Sequence, residues 1–321
     1  MKRIFAAVAA MVIGSTVQAA AFVDPHDTPA MQSPLAARAV LNGVALAGSR
    51  LVAVGQRGHI VYSDDHGLGW KQANVPVAAD LTAVFFTSRS EGWAVGHDGV
   101  ILHTVDAALS WKRRFDGRAD KAIAGQPLLD IWFDGRGHGL AVGAFGLLLR
   151  SDDGGASWQH AEALADNPKA LHLNAIRAVG PDLYLVGEQG LLLKRSAGGS
   201  RFEALATSYG GSFFGLAGHG QQLVAFGLRG TAMFSGDGGR NWARASTGTE
   251  TGLAAGITLA GGAVLLLTQS GTVLRSTDGG ASFAAQAGAV AAPSTAALMF
   301  NKNRLLVAGA RGVRVLAVDG L

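Results

Sequence analysis

Short apolar segments of about five residues recur along the chain, separated by turns that contain glycine. Residues 81–115 show one unit clearly: "LTAVFF", "GWAVG" and "GVILHT" are apolar, whereas "SWKRRF" is mostly polar. A polar fourth segment is typical of an exposed edge strand. Only residues 159–173 show a partial helical pattern, enough for a turn or two in a loop. The pattern therefore predicts four short antiparallel strands per unit.

The unit is repeated seven times. One glycine fixes the register of the copies, and it recurs at intervals of 41, 47, 44, 40, 41 and 41 residues. Repeats of this length with several short strands are typical of propellers rather than solenoids. The sequence predicts an all-β fold, a seven-bladed β-propeller of four-stranded antiparallel blades. The marker glycines are Gly58, Gly99, Gly146, Gly190, Gly230, Gly271 and Gly312.

The last copy contains no sequence for a fourth strand, while residues 22–36 precede the first inner strand. We predict that part of this segment supplies the missing outer strand, so that both termini close the ring. Residues 21–321 are then a single propeller domain.

The first 20 residues have the features of a secretory signal peptide. Lys2 and Arg3 precede an apolar stretch from Ile4 to Ile13, which is too short to span a bilayer, and small residues follow near Ala19. We expect cleavage there, an exported protein located in the periplasm, and no integral membrane segment afterwards. Without Lys2 and Arg3 the net charge falls from +4 to +2, too weak to indicate nucleic acid as a partner.

Most copies carry the motif S-x-D-x-G-x-x-W/F between the third and fourth strands, as in "SDDGGASW" at 151–158. It resembles the Asp-box, or BNR repeat. An aspartate accepts hydrogen bonds from backbone N–H groups one or two residues on, glycine permits a left-handed turn, and the aromatic residue packs into the sheet or between blades. We therefore assign a structural role to Asp65, Asp106, Asp153, Asp237, Asp278, Trp70, Trp111, Trp158 and Trp242.

No motif in the sequence predicts catalysis. The chain lacks cysteine and a G-x-S-x-G element, its histidines lack metal-ligand spacing, and most aspartates belong to the turn motif. We expect no enzyme activity, no catalytic residue, no metal and no cofactor. A carbohydrate-active propeller, sialidase-like or glycan-binding, is the alternative; it requires paired carboxylates in an axial pocket.

The turns between the second and third strands lie together on the face opposite the Asp-boxes. Three of them carry arginine before the marker glycine: Arg57, Arg229 and Arg311. The long connection after blade 2 adds Arg113, Arg114 and Arg118 beside the same face. These six arginines form a candidate site for carboxylates or an acidic protein loop. Pairing of the arginines with nearby acids is the alternative.

The G-x-x-G turn, its "VG-x-R-G" variant, the Asp-box and the secretory signal together resemble the photosystem II stability and assembly factor-like family over residues 38–316. The resemblance implies a seven-bladed propeller without enzymatic activity that assists assembly of a membrane complex through an arginine patch. By position, Arg57, Arg229 and Arg311 correspond to that patch. Relatives in non-photosynthetic bacteria often accompany resistance-nodulation-division exporters. We therefore expect a monomer that binds the periplasmic loop of a membrane protein or transporter.

Overall fold

The computed structural model describes residues 23–286 and 292–318. The predicted signal peptide, residues 1–20, lies outside the described residues. The described chain forms seven antiparallel sheets in which neighbouring strands follow sequence order; six have four strands and one has three. The predicted seven-bladed, all-β propeller is confirmed. Within the described ranges no helix is long and apolar enough to cross a membrane.

Strand bounds are given blade by blade, from the axis outwards. Blade 1 contains β1 (Leu41–Ala47), β2 (Arg50–Gly55), β3 (Ile60–Ser63) and β4 (Lys71–Gln72). Blade 2 contains β5 (Leu81–Phe86), β6 (Gly92–Gly96), β7 (Ile101–Thr104) and β8 (Lys112–Phe115). Blade 3 contains β9 (Leu128–Phe133), β10 (Gly139–Gly143), β11 (Leu148–Ser151) and β12 (Gln159–His160). Blade 4 contains β13 (Leu173–Val179), β14 (Asp182–Gly187), β15 (Leu192–Arg195) and β16 (Glu203–Ala204).

The remaining blades follow the same order. Blade 5 contains β17 (Phe213–His219), β18 (Gln222–Gly227), β19 (Ala232–Ser235) and β20 (Ala243–Arg244). Blade 6 contains β21 (Leu253–Thr258), β22 (Val264–Thr268), β23 (Val273–Ser276) and β24 (Ala284–Ala285). Blade 7 contains β25 (Ser294–Asn301), β26 (Arg304–Gly309) and β27 (Gly312–Ala317). Short 3-10 turns lie at Pro25–Asp27, Ala36–Arg38, Gln56–Gly58, His97–Gly99, Gly117–Ala119, Ala144–Gly146, Glu162–Leu164, Glu188–Gly190 and Leu228–Gly230.

The hydrophobic core lies between blades. Val54 of blade 1 and Leu81 of blade 2 belong to one buried cluster, and Leu41 of blade 1 shares another with Ala308 of blade 7. Blade 7 therefore packs directly on blade 1 and the ring is closed. A side-chain bond crosses the same seam, where the Thr295 hydroxyl donates to the Leu41 carbonyl at 2.8 Å.

Residues 23–40 do not supply the predicted fourth strand of blade 7; they contain two 3-10 turns and no strand. The segment bonds to blade 1 instead. The Ala30 N–H donates to the Val75 carbonyl at 3.0 Å, and the Gln32 side-chain amide donates to the Ala73 carbonyl at 3.2 Å. The described residues therefore do not show closure of the ring by both termini in the predicted form. The polar groups of this segment bond to blade 1 rather than to β27 of blade 7.

The start of this segment is fastened to the blade 2 connection by ion pairs. Arg118 lies 2.9 Å from carboxylate oxygens of both Asp24 and Asp27 and 2.6 Å from Asp116. Arg113 lies 3.3 Å from Asp27. The hydrogen bond from Arg118 lowers the pKa of Asp116 to about 2. Two basic side chains of the blade 2 connection are thereby neutralised by the N-terminal segment.

The five complete Asp-boxes share one hydrogen-bond pattern. In the box of blade 3, Asp153 accepts from the Ser151 hydroxyl at 2.8 Å, from the Ser157 N–H at 2.9 Å and from the Ser157 hydroxyl at 2.6 Å. The expectation that the aspartate caps an N–H one or two residues on is wrong: the N–H lies four residues on. The N–H bond from four residues on also occurs at Asp65, Asp106, Asp237 and Asp278. Asp65 has no equivalent of the Ser157 hydroxyl bond, because residue 69 is glycine.

The serine or threonine that begins each box has a role that the motif alone did not indicate. The Ser151 hydroxyl also accepts the Gly155 N–H at 2.8 Å, so it links the aspartate to the middle of the turn. The aromatic residue packs on the preceding blade: Trp111 lies in one cluster with Ala73 and Val75 of blade 1. The structural assignment of the motif agrees with these contacts.

Replacing Asp153 tests this turn, and Asp152 beside it is a matched control. Asp153→Ala should lower the melting temperature by about 2–6 °C because three hydrogen bonds to a charged group are lost. Asp152→Ala should change it little, since Asp152 is exposed and its ion pairs lie at the surface. Equal effects in thermal melts of the two variants would contradict the assignment.

The lowered pKa of Asp153 also predicts how stability depends on pH. Donation from the Ser157 hydroxyl, its N–H and the Ser151 hydroxyl lowers the Asp153 pKa from 3.8 to about 2. A carboxylate with a lowered folded pKa stabilises the protein above its unfolded pKa and loses that contribution as the pH falls. The melting-temperature difference between wild type and Asp153→Asn should therefore shrink between pH 5 and pH 2. A pH-independent difference would show that ionisation of Asp153 has no part in it.

Arg118 provides a test of the N-terminal attachment. Arg118→Ala should speed amide hydrogen exchange in residues 23–29, because three carboxylates lose their common partner. Arg114→Ala is the control: Arg114 lies on exposed β8, with His103 at 3.5 Å. Exchange in residues 23–29 that is as slow in Arg118→Ala as in wild type would count against the ion pairs as the attachment.

Candidate functional site

The turns between second and third strands define the hairpin face. In blade 1 the Gly55 N–H donates to the His59 carbonyl at 2.9 Å and closes a three-residue turn. The marker glycine of this turn has φ +68, and a Cβ there would lie 1.9 Å from the Val77 carbonyl oxygen. No side chain fits at Gly58, whereas the preceding residue, Arg57, and Gln56 before it are exposed.

That preceding residue has left-handed backbone geometry in blades 1 to 5. The φ values are 57° at Arg57, 53° at Asp98, 52° at Phe145, 52° at Gln189 and 54° at Arg229. A non-glycine residue in this region costs about 1–2 kcal/mol, and such strain is most often retained where the side chain is used. The turns therefore hold five side chains in place at a cost that glycine would avoid.

The blade 7 turn differs from the others. Gly309 pairs with Gly312, so the turn has two residues, Ala310 and Arg311. The blade 6 turn carries Gln269 and Ser270, which are uncharged. Arg311 is exposed but is not among the residues with positive φ.

The structure places Arg57, Arg229 and Arg311 on the hairpin face, all three exposed. Arg311 and Arg57 are on blades that pack together, and Arg229 is separated from Arg311 by blade 6. None of the three forms an ion pair with another described residue. The half of the face formed by blades 5, 6, 7 and 1 is therefore cationic at its turns. The acidic turn residues, Asp98 and Glu188, belong to blades 2 and 4.

The other three predicted arginines do not extend this cationic area. The connection after blade 2 lies beside the hairpin face, since Gly117 packs against Gly99. However, Arg113 and Arg118 are neutralised by the N-terminal acids, and Arg114 lies on the outer strand β8. For Arg113 and Arg118 the structure shows the alternative, pairing with nearby acids. Locating their partners required the path of residues 23–27, which sequence spacing does not give.

Two exposed apolar side chains also occur on the hairpin face and were not singled out from sequence. Phe145 is 62% exposed and Leu228 is 40% exposed. Phe145 makes an edge contact with His172, with ring centroids 4.7 Å apart. A large apolar residue in a turn position that is polar in most other copies is the signal that identifies them. The face thus combines cationic and apolar groups, as protein-binding surfaces do.

The central cavity is lined by the seven inner strands and has a volume of about 640 Å³. Asp130 is the one carboxylate among its described lining residues. It accepts from the Ile176 N–H at 3.0 Å and pairs with Arg177. Glycoside hydrolysis by the usual route requires two facing carboxyl groups, and the described lining does not contain them.

Comparison with known proteins agrees with this architecture. A model of the photosynthesis system II assembly factor YCF48 family matches residues 119–209. The chain is similar to the structure of YCF48 bound to D1 peptide, with 20% identity, TM-score 0.71, and coverage of 88% of this chain and 94% of that one. For YCF48 from Cyanidioschyzon merolae the identity is 17%, the TM-score 0.66, and the coverage 88% and 95%.

A glycoside hydrolase is also similar in fold. The xyloglucanase from Xanthomonas campestris has 15% identity and TM-score 0.65, and the match covers 86% of this chain and 52% of that one. No curated protein sequence matches the chain. The family match and the YCF48 structures confirm that the chain resembles the photosystem II assembly factor-like Asp-box propellers.

Proposed function

We propose that this chain is a non-enzymatic binding propeller of the periplasm that engages an exposed acidic loop of a membrane protein or transporter through the hairpin face. The observation that carries this proposal is the set of three exposed arginines, Arg57, Arg229 and Arg311, without ion-pair partners in the described residues. Two of them occupy strained left-handed turn positions. Arginine binds carboxylates through two parallel hydrogen bonds, which suits recognition of acidic peptide segments.

The similarity to YCF48 bound to D1 peptide supports a peptide as the ligand. In that structure a propeller of similar fold holds a segment of another protein. The carbohydrate-active alternative gains support from the xyloglucanase fold, but the described cavity lining offers a single, already paired carboxylate. The periplasmic location rests on the signal peptide pattern of residues 1–20, and the monomeric state is part of the proposal.

Charge reversal on the hairpin face tests the proposal. The probes are synthetic peptides that cover the exported-side loops of membrane proteins encoded beside this chain. Arg57→Glu, Arg229→Glu and Arg311→Glu together should weaken binding of the recognised peptide at least about 100-fold, because attraction becomes repulsion at three positions. Binding is measured by fluorescence anisotropy, and folding by thermal melting.

The matched control reverses three exposed arginines at turns of the opposite face: Arg89, Arg136 and Arg304. This triple variant carries the same charge change and should bind the peptide as wild type does. Arg57→Gly with Arg229→Gly separates charge from folding, since glycine relieves the left-handed strain and should leave the melting temperature equal or higher. Equal losses in both triple variants, or retained binding after reversal on the hairpin face, would overturn the proposal.

A further inference from the structure

In the described residues, the outer edge of blade 7 lacks the fourth strand that covers the same edge in the other six blades. Its sheet ends at β27, whereas each of the other six sheets continues to a fourth strand. No strand of residues 23–286 or 292–318 pairs with the far side of β27. The side chains of Val313 and Val315 on this strand are half-buried. An uncovered edge strand is a template for pairing with another extended segment.

The register shows which backbone groups face the open side. The Val318 N–H donates to the Asn303 carbonyl at 2.9 Å, so Val318 turns its polar groups towards β26. Polar groups alternate in direction along an antiparallel strand. Residues 316, 314 and 312 therefore also face β26, while Val313, Val315 and Ala317 direct their N–H and C=O groups outwards.

The equivalent groups in blade 1 are used by the outer strand. Ile60 pairs with Val54 as Val313 pairs with Ala308. The Ile60 carbonyl accepts the Ala73 N–H at 2.9 Å. The blade 7 edge thus offers the bonding groups that hold the outer segment in blade 1.

In blade 1 the outer segment, which consists of the fourth strand and the residues that follow it, runs along the outer edge. The N-terminal segment follows the equivalent path beside blade 7 only in part. A Cβ on Gly312 would lie 2.0 Å from the Ala37 carbonyl oxygen, as one on Gly58 would lie 1.9 Å from that of Val77. Ala37 therefore takes the place of a blade connection. Before Ala36 the chain leaves blade 7 and bonds to Gln72 and Ala73 of blade 1.

This departure leaves a cleft beside Trp70. The Asp-box aromatic residue of a blade packs on the outer segment of the blade before it, as Phe283 does on Ala245 and Phe202 on Ala161. For Trp70 this place is taken only by Ala36 and Ala37 of the N-terminal segment, which share its cluster. Trp70 remains half-buried and lines a cleft of about 350 Å³, together with Gln32, Ser33, Pro34, Ala36, Ala37, Val61, Lys71 and Gln72.

Lys71 is the one charged residue among the described residues that line this cleft, and this lining includes no acid. A lysine with no acid beside it in the lining favours an occupant that carries an acidic residue.

We propose that the outer edge of blade 7 binds an extended segment of a partner protein, which adds as a fourth strand to β27. The segment pairs its backbone with Val313 and Val315, inserts a small aliphatic side chain against Trp70, and carries an acidic residue near Lys71. Backbone hydrogen bonds provide affinity, and the cleft selects the side chain. This site is separate from the arginines of the hairpin face.

A peptide designed from blade 1 tests the site. The probe copies residues 71–77, which follow the blade 1 edge, with glutamate in place of Lys71 and a fluorescent label. It should bind the mature chain with a dissociation constant below about 1 mM. Val315→Pro, which removes an outward N–H without breaking the β26 ladder, should weaken binding at least about 10-fold.

Two controls keep the outcome decisive even if Val315→Pro folds poorly. The same peptide with an N-methyl group at the Ala73 position retains its side chains but loses the donor, and should bind at least about 10-fold more weakly. The triple glutamate variant of Arg57, Arg229 and Arg311 should bind the probe as wild type does, which separates this site from the proposed function.

Three results would overturn the proposal. The first is that the probe does not bind at concentrations up to about 1 mM, which corresponds to the weakest specific affinity considered. The second is equal binding of the N-methylated peptide. The third is slow amide exchange at Val313 and Val315 in the free chain, which would show that a segment of this chain already covers the edge.

Discussion

Ring closure is the constraint on which the rest of the structure depends. Each hydrophobic cluster lies between two blades, so a blade has no complete core of its own. An open ring would expose Leu41 on one side and Ala308 on the other. The bond from Thr295 to the Leu41 carbonyl repeats a link found elsewhere in the ring, from Asn42 to Leu81 and from Thr82 to Leu128. Blade 7 therefore joins blade 1 through the same kind of interface that joins the other neighbouring blades, although the described residues supply it with only three strands.

The Asp-boxes explain why a chain with many aspartates offers few reactive carboxylates. The aspartate of each box accepts one hydrogen bond from the hydroxyl two residues earlier and one from the N–H four residues later, as at Asp153 and Asp278. Trp111 and Trp158 likewise pack between blades. What varies between copies is the hairpin turn, and this variation is why we propose that recognition takes place on the face that carries those turns.

The sequence predicted most of the fold because its signals are local. A turn glycine, a box aspartate and a short apolar strand each act within a few residues, and seven copies fix the blade number. The turn positions of Arg57 and Arg229 follow from the same local signals, and their role in binding stays a prediction. The neutralisation of Arg118 was not predictable, because Asp24 and Asp27 are 94 and 91 positions away along the chain. The path of residues 30–33 likewise depends on tertiary contacts. Blade 1 provides carbonyls and a side-chain amide that bond to this segment in competition with β27.

The seam between blades 7 and 1 concentrates the features that distinguish this chain from a uniform propeller. Arg311 and Arg57 lie in its two turns, and the uncovered β27 and the cleft beside Trp70 lie on its outer side. The connection that leads from an outer strand to the hairpin face is taken at this seam by Ala37, whose carbonyl oxygen lies against Gly312. An extended segment bound at the edge would therefore not continue to the arginine turns along that path. Backbone pairing at β27 and charge recognition on the hairpin face are for this reason two separate proposed sites.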